Sequence, residues 1–221
     1  MNTSAPDVGQ TIRDLPPQST VLDIGCFGWR LAQACADHGH RMTGLDRKEP
    51  PGRPVGAGFA VMNGAQIDVA DDCGHLTVAA HVLEHIDQPV AFFAELARVT
   101  APGGWIWIEA PSELSAMPRA SDDAADQAFV SFWDDPTHVR PWTPAALYRL
   151  ALSCQCMPLF CGRAETGGIP VSRMLARKPF EVRGRPPVTY VSLAGVEPGL
   201  AAAWRAVWPA QLATLKLIDK A

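Results

Sequence analysis

Two acids and two glycines near the start of the chain have the spacing of a nucleoside-binding site. Asp23 and Gly25 end a short apolar segment, Gly28 follows in the turn, and Asp46 comes 21 residues after Gly25, at the end of a second apolar segment. A glycine there lets a ligand approach the backbone, and an acid at the second strand end accepts hydrogen bonds from ribose hydroxyls. The pattern indicates a nucleoside-containing ligand, but Asp46 as a simple helix cap explains its position equally well.

Apolar segments that alternate with helical segments surround these residues. Asp87-Gln88-Pro89 opens one predicted helix, which ends before Ala101-Pro102-Gly103-Gly104, and Thr143-Pro144 caps another that runs to Ser153. Such alternation with short links predicts a parallel sheet covered by helices. We predict strands at 20–25, 41–46, 58–62, 76–80 and 105–110, a helix at 29–38, and a final antiparallel pair of strands at 156–161 and 170–177.

The overall composition argues against several classes of protein. The 221 residues carry a formal net charge of −4 and no strongly basic segment, so the sequence does not favour a nucleic-acid partner. No stretch reaches the ~18 apolar residues of a membrane-spanning helix. Residues 1–6 lack the basic and apolar regions of a secretory signal. We therefore expect a soluble, cytoplasmic protein without a membrane span.

Three cysteines, Cys154, Cys156 and Cys161, are close enough in sequence to suggest a metal site. Their C-x-C-x4-C spacing lacks the C-x2-C knuckle of structural zinc sites, and no histidine is nearby. Free cysteine otherwise behaves as a small hydrophobic residue, so burial is the favoured interpretation. The sequence predicts no metal site.

Four further segments make the pattern more specific. They are VLDIGC at 21–26, HVLEH at 81–85, ELARV at 95–99 followed by PGG at 102–104, and DDPTHVR at 134–140. The first three, in this order and at this spacing, resemble motifs of class I S-adenosylmethionine-dependent methyltransferases, in the small-molecule branch related to the ubiquinone-biosynthesis enzymes. The fourth resembles a segment of bacterial members of this branch and extends the resemblance to about residue 177.

The resemblance implies a fold and a domain organisation. The fold is α/β: a three-layer sandwich with a mainly parallel, Rossmann-like sheet of seven strands, the last of them antiparallel. The methyltransferase domain is expected at 1–178, with a substrate-side insertion at 112–141. Residues 179–221 form a C-terminal extension, in which an amphipathic helix carries Trp204 and Trp208. Core packing and a homodimer contact are the two main interpretations of this helix.

The resemblance also assigns a site for S-adenosylmethionine and its product S-adenosylhomocysteine. Asn63 stands where the family often has an acid, and its side-chain oxygen can accept a hydrogen bond in the same way. The residues expected in the site are Asp23, Gly25, Cys26 and Phe27 at the methionyl end, Asp46 at the ribose, Arg47, Asn63 and Gly64 near the adenine, and His81 and Val82 beside the sulfonium and its methyl group.

One turn departs from the family pattern. Phe27 and Trp29 stand where the family commonly has its second and third glycines, with Gly28 between them. Phe27 therefore brings a bulky side chain to a place where the backbone has to approach the cofactor. Either its ring points into the protein and the backbone still binds the cofactor, or the site is weakened or lost.

Three residues are candidates for acid–base chemistry. Methyl transfer from a sulfonium is a direct displacement, in which the protein mainly aligns the reactants and excludes water. An acceptor hydroxyl or carbon benefits from a general base, and His85, Glu109 and His138 are at strand ends or in the following loops. Each has a structural alternative: His85 with Glu84 as a helix cap, Glu109 as a loop anchor, and His138 in a local pair with a nearby aspartate.

Three hypotheses follow. The first is methyl transfer to a small-molecule, sugar or lipid-linked acceptor, with O-, N- or C-methylation unresolved. The second, motivated by the altered turn and the apolar C-terminal helix, is a non-catalytic subunit that binds the cofactor or a partner. A nicotinamide-dependent oxidoreductase ranks last, because the run from Gly25, GCFGWR, lacks the G-x-G-x-x-G of such enzymes.

Overall fold

The described part of the chain contains eight strands and four α-helices. A computed structural model describes residues 6–64, 66–116 and 132–180. The strands are β1 Thr20–Ile24, β2 Arg41–Asp46, β3 Gly58–Asn63, β4 Gln66–Ile67, β5 Gly74–Ala80, β6 Thr100–Pro111, β7 Met157–Thr166 and β8 Ile169–Arg177. The α-helices are α1 Val8–Arg13, α2 Ala32–Asp37, α3 Pro89–Val99 and α4 Pro144–Ser153.

The central strands run parallel, and antiparallel strands lie toward both edges of the sheet. The order across the sheet is β4-β3-β2-β1-β5-β6-β8-β7. Strands β3, β2, β1, β5 and β6 are parallel, whereas β4 is antiparallel to β3 and β8 runs antiparallel between β6 and β7. This topology confirms the mainly parallel sheet with an antiparallel last strand.

The sheet has one strand more than the seven that the resemblance implied. The additional strand is β4, which is two residues long and pairs with the end of β3 through Met62–Ile67 and Asn63–Gln66. Two residues show no alternation of apolar and polar side chains, so periodicity could not reveal this strand.

Helices cover both faces of the sheet. Leu22 of β1 packs with Phe92 of α3 and Leu147 of α4, whereas the adjacent Val21 packs with Ile12 of α1 and Cys35 of α2. Successive residues of a strand point to opposite faces, so both faces of the central strands are buried. The result is the three-layer sandwich that was predicted.

The helix predicted at 29–38 begins later than expected. A 3-10 turn at Phe27–Trp29 precedes α2, and both Gly28 and Trp29 have positive φ, at 76° and 56°. Left-handed backbone cannot continue into a right-handed helix, which is why α2 begins only at Ala32.

The later helices begin at the predicted prolines. Helix α3 begins at Pro89, and its N-cap, Gln88, makes no side-chain capping bond. Helix α4 begins at Pro144, where the Thr143 hydroxyl accepts a hydrogen bond of 3.0 Å from the Ala146 N–H. Among the described helices, none is long and apolar enough to cross a membrane.

The cysteine cluster lies partly in the core. Cys156 and Cys161 are buried, Cys154 is half-buried, and all three thiols are free. Burial raises the pKa of Cys156 to about 12, so this thiol is neutral at physiological pH. Burial, the favoured interpretation, therefore holds for two of the three residues.

Two predicted regions lie outside the described residues. Residues 117–131 belong to the expected insertion at 112–141, and residues 181–221 contain the expected C-terminal helix with Trp204 and Trp208. The domain boundaries and the homodimer contact therefore stay predictions.

Candidate functional site

The turn after β1 is held tightly against β2. The N–H groups of Gly25 and Cys26 both donate to the Leu45 carbonyl, at 2.7 and 3.1 Å, and the Phe27 N–H donates back to the Gly25 carbonyl at 2.8 Å. Gly25 has a φ of 74°, and a β-carbon at this position would lie 2.4 Å from Val82 Cγ2. Only glycine fits here, because the turn after β1 touches the loop after β5.

The two aromatic residues of this turn point in different directions. Trp29 is buried over Gly44 of β2, where a β-carbon would lie 2.6 Å from the Trp29 ring. Its indole N–H donates to the Pro50 carbonyl at 3.3 Å, and its ring meets Phe59 edge to face. Phe27, in contrast, is 81% exposed.

The expectation that the Phe27 ring points into the protein is therefore wrong. Trp29 and Cys26 already occupy the space against β2, as their contacts with Gly44 show, and the Phe27 side chain is left on the outside of the turn. The side chain at the third glycine position, Trp29, is therefore accommodated inside the protein. The side chain at the second, Phe27, lies outside it.

Asp23 supplies a buried carboxyl at the base of this turn. Its side chain is 6% exposed, and no hydrogen bond to its carboxyl group is present within the described ranges. Burial raises the pKa of Asp23 to about 7; the positive charge of Arg30 acts against this rise, and the negative charge of Asp46 adds to it. The carboxyl is thus on the border between neutral and charged, and a cationic ligand group would favour its charged form.

Asp46 and Asn63 lie at adjacent strand ends. Asp46 ends β2, is paired in register with Val61 of β3, and accepts a hydrogen bond of 2.7 Å from the Arg47 N–H. Asn63 and Gly64 follow at the end of β3 and are exposed. No helix begins between Asp46 and the start of β3 at Gly58, so its interpretation as a helix cap is wrong.

His81 connects the ends of β5 and β6. Its Nδ1 lies 3.4 Å from Glu84 Oε1 and its Nε2 lies 3.2 Å from Glu109 Oε1. Hydrogen bonds to Glu109 and then to Glu84 raise the pKa of His81 to about 9, so the imidazole is protonated at neutral pH. Its φ of 56° is unusual for a residue other than glycine, and the adjacent Glu109 carbonyl accepts its N–H at 2.8 Å.

Glu109 is held by two further groups that the sequence did not reveal. Arg173 of β8 donates to Glu109 Oε2 at 2.5 Å, and the Thr166 hydroxyl donates to the same oxygen at 2.9 Å. Burial alone would raise the pKa of Glu109, but the hydrogen bonds from His81 and Arg173 outweigh burial and lower it. Glu109 is thus a fully paired carboxylate.

His85 and His138 lie together, beside a buried Glu84. Their ring centroids are 4.8 Å apart, and Phe132 stacks on the other side of His138 at 4.5 Å. Glu84 and His85 belong to a 3-10 turn that ends before α3, whose N-cap is Gln88, so the interpretation of this pair as a cap of that helix is wrong. His138 does have a local aspartate neighbour, since its Nε2 lies 3.7 Å from Asp135 Oδ2.

The predicted residues thus form two groups at one edge of the sheet. The first group lies at the ends of β1, β2 and β3 and consists of Asp23, Gly25, Asp46 and Asn63. The second group lies at or just beyond the ends of β5 and β6: its members are His81, Val82, Glu84, His85 and Glu109, joined by His138. The contact between Gly25 and Val82 connects the two groups. This is the edge at which open α/β sheets bind ligands.

Comparison with known proteins places this geometry in a family context. A family model described as a methyltransferase domain matches residues 4–154. A ubiquinone biosynthesis O-methyltransferase of Thiobacillus denitrificans is 32% identical over 98 residues, which cover 39% of this chain and 42% of the relative. An uncharacterised methyltransferase of Mycobacterium leprae is 32% identical over 108 residues, 45% of this chain and 40% of the relative. The chain spans about two fifths of the length of these curated relatives.

Solved structures show the same fold at low sequence identity. An S-adenosylmethionine-dependent methyltransferase of Mesorhizobium loti superposes with a TM-score of 0.58 at 16% identity, covering 76% of this chain and 96% of that chain. The 1,6-didemethyltoxoflavin-N1-methyltransferase of Burkholderia thailandensis, with bound S-adenosylhomocysteine, has a TM-score of 0.56 at 19% identity, covering 74% of this chain and 72% of that chain.

Proposed function

The chain belongs to the methyltransferase domain family, and we propose that it transfers a methyl group from S-adenosylmethionine to a small-molecule, sugar or lipid-linked acceptor. The observation that carries this proposal is the buried Asp23 carboxyl beside the Gly25 turn, with Asp46 at the next strand end. These groups suit a ligand that has a cationic amino-acid end and a ribose end.

The residues at the edge of the sheet fit S-adenosylmethionine. The α-ammonium of its methionyl end would give Asp23 the counter-ion that the described residues do not supply by a hydrogen bond. Asp46 is half-exposed, so a carboxylate oxygen is available to ribose hydroxyls. Val82 is packed on the Gly25 turn and therefore helps to shape the boundary between the cofactor and acceptor sides.

The side chains after β5 and β6 divide the remaining work. The cofactor supplies an electrophilic methyl group on a sulfonium. His81, protonated at neutral pH, cannot act as a general base there; it holds Glu84 and Glu109 in place. Glu109 is paired through both oxygens, so we assign it an anchoring role for the acceptor-side wall. Glu109 therefore has no free oxygen to accept a proton. His85 and His138, the other two catalytic candidates, each use Nδ1 in a hydrogen bond and leave Nε2 available.

The acceptor is proposed by class only. The relatives named above are an O-methyltransferase and an N1-methyltransferase by their names, so the fold serves both oxygen and nitrogen acceptors. The net charge of −4 does not favour a polyanionic acceptor.

Calorimetric titration with S-adenosylmethionine and S-adenosylhomocysteine tests the proposal. We expect Asp46→Ala to weaken binding at least about tenfold, because one buried or partly buried hydrogen bond to a carboxylate is worth roughly 1.5–3 kcal/mol. Asp37→Ala, which removes an exposed aspartate at the end of α2, is the matched control and should bind normally.

The outcomes separate the enzyme from its alternative. Binding that depends on Asp46, followed by turnover on an acceptor panel, supports the enzyme. Tight S-adenosylhomocysteine binding without turnover on broad panels supports a non-catalytic subunit. If neither ligand binds the wild-type protein, the cofactor assignment is wrong.

A further inference from the structure

Three side chains beside the end of β5 form a cluster with the composition of a metal site. Glu84, His85 and His138 each offer a ligand atom, and these atoms lie within 4.8 Å of one another. We propose that this cluster, the Glu84 cluster, binds a divalent transition-metal ion. The inference does not depend on methyl transfer, because it concerns metal binding by the protein alone.

Glu84 provides the first independent support. Its side chain is 1% exposed, and Oε1 lies 3.4 Å from His81. The second oxygen, Oε2, is buried and has no hydrogen-bond partner among the residues that the structure describes. An unsatisfied buried polar atom destabilises the folded protein, and a charged one does so more. A cation beside this oxygen offsets that cost.

The hydrogen bond of His138 leaves one ring nitrogen suited to a metal. His138 Nδ1 lies 2.7 Å from the Phe132 carbonyl oxygen. A carbonyl can only accept, so Nδ1 must carry the hydrogen. In the neutral ring, Nε2 then has the free lone pair. Metal-binding histidines are oriented in this way, with the other ring N–H donated to a carbonyl or carboxylate.

His85 is oriented by a relay of two groups with the same result. Its Nδ1 lies 2.9 Å from the Thr137 hydroxyl, and that hydroxyl donates its hydrogen to Asp135 Oδ1 at 2.6 Å. The hydroxyl oxygen therefore accepts from His85 Nδ1–H, and Nε2 again keeps the lone pair. A metal ion bound by both rings requires a free lone pair on each of them. Here different partners, Thr137 and Phe132, leave that lone pair on Nε2 of both histidines.

The donor set indicates which metals fit. Two imidazole nitrogens and one carboxylate suit Zn²⁺ and other divalent transition metals, whereas Mg²⁺ and Ca²⁺ prefer oxygen ligands. Ligands about 2.1 Å from one ion are about 3.4 Å apart in a tetrahedral site. The cluster therefore has to contract by on the order of 1 Å around a bound ion.

The competing interpretation is a local ion pair between His138 and Asp135. Their closest atoms, Nε2 and Oδ2, are 3.7 Å apart, which is too long for a hydrogen bond. That pair leaves the buried Glu84 oxygen unexplained, whereas a shared metal accounts for all three side chains. A metal bound by the two histidines also excludes a general-base role for either of them, since a lone pair that binds a metal cannot accept a proton.

Zinc titration of the whole 221-residue chain tests this inference. The protein is stripped with EDTA, dialysed and titrated with Zn²⁺ by calorimetry, and with Co²⁺ by visible absorption. We expect one site per chain and a Co²⁺ spectrum without a thiolate charge-transfer band. His85→Ala and His138→Ala should each weaken binding more than about 100-fold, since loss of an outer partner alone costs roughly 10–100-fold.

Two further variants separate the proposed arrangement from adventitious binding. Thr137→Val keeps the volume but removes the acceptor for His85 Nδ1–H, so we expect Zn²⁺ affinity to fall about tenfold or more. His38→Ala removes an exposed histidine outside the cluster and should change nothing. Equal affinity in the wild type and all histidine variants, or a thiolate band with Co²⁺, would mean surface or cysteine binding and would overturn the proposal.

Glu84→Gln completes the set. The substitution keeps the shape of the side chain but removes its charge, so a folded variant should bind Zn²⁺ more weakly than the wild type. If this variant fails to fold, the His138 and Thr137 variants still decide the question.

Discussion

Two buried carboxyl groups at the same edge of the sheet have opposite ionisation behaviour. Asp23, at the end of β1, is 6% exposed, and Glu109, near the end of β6, is 3% exposed. Burial raises the pKa of Asp23 to about 7, whereas the pKa of Glu109 is lowered because donors from His81 and Arg173 outweigh the same effect of burial. Both carboxyl groups are buried, but only Glu109 has hydrogen-bond donors whose effect exceeds that of burial.

The comparison distinguishes the Asp23 carboxyl, which is suited to binding a ligand, from the Glu109 carboxylate, which stabilises the protein's own structure. A carboxylate with its own cations gains little from another, so Glu109 is suited to fixing the shape of the acceptor side. A carboxyl without such partners gains most from a cationic ligand. The proposed cofactor therefore belongs beside Asp23, and the predictions below test this difference.

The largest effect on stability is expected when Glu109, the paired carboxylate, loses the positive charge of Arg173. Arg173→Ala leaves Glu109 buried without its guanidinium, and removing one partner of a buried pair costs about 3–5 kcal/mol. We expect the free energy of unfolding to fall by that order in urea denaturation.

Arg163→Ala is the control for this prediction. Arg163 pairs with Glu113 but its side chain is 45% exposed, so its loss should cost less than about 1 kcal/mol. Equal small losses in the two variants would show that Arg173 does not compensate the burial of Glu109.

A smaller effect on stability, of opposite sign, is expected at Asp23, the carboxyl group without a hydrogen-bond donor among the described residues. The folded-state pKa of Asp23 is raised by about three units, each worth about 1.4 kcal/mol, so folding becomes less favourable as the pH rises from about 4 to 7. Asp23→Asn should therefore stabilise the protein by up to about 4 kcal/mol at pH 8 and by roughly a third of that at pH 5.

Thermal and urea unfolding at both pH values measure the stability effect. Calorimetry should show that the same variant binds S-adenosylmethionine more weakly. Asp37→Asn, at an exposed position, should alter neither quantity. A destabilised Asp23→Asn would mean that the charged carboxylate is satisfied in the folded protein, and the contrast with Glu109 would disappear.

The smallest effect on stability is expected at His81, which pairs with both Glu84 and Glu109. The folded-state pKa of His81 is raised from 6.5 to about 9, so its stabilising contribution is complete below pH 6.5 and is lost as the pH passes through 9. His81→Asn, which tolerates positive φ, should cost about 2 kcal/mol at pH 6 and much less at pH 10, after allowance for partial exposure.

Unfolding of His81→Asn and the wild type over this pH range measures the difference. His38→Asn, at an exposed position, is the matched substitution and should leave the stability unchanged. A cost that stays constant with pH would assign the role of His81 to its shape rather than to its charge.

Much of the fold could be predicted because its central strands are continuous apolar segments bounded by glycine or acid. The exceptions have local causes. Strand β4 is too short to show a period, and α2 begins late because Trp29 adopts positive φ. No propensity of tryptophan indicates that conformation; it follows from the packing of the ring over Gly44.

The positions of the candidate residues at the strand ends could be predicted, but their pairings could not. Asp23, Asp46 and His81 occur where the motifs placed them. Arg173 escaped notice because it faces Glu109 only through the antiparallel register of β6 and β8, across 64 residues of sequence. The burial of Glu84, and with it the case for a metal, depends likewise on contacts between distant segments rather than on local spacing.

The contact between Gly25 and Val82 has a mechanical consequence. Val82 Cγ2 fills the space in which any larger residue at position 25 would place its side chain, so the two loops bear on each other without slack. A ligand that displaces the turn after β1 would press on Val82, which directly precedes the 3-10 turn that carries Glu84 and His85. We therefore expect any movement of the turn beside Asp23 to be met first by the loop after β5.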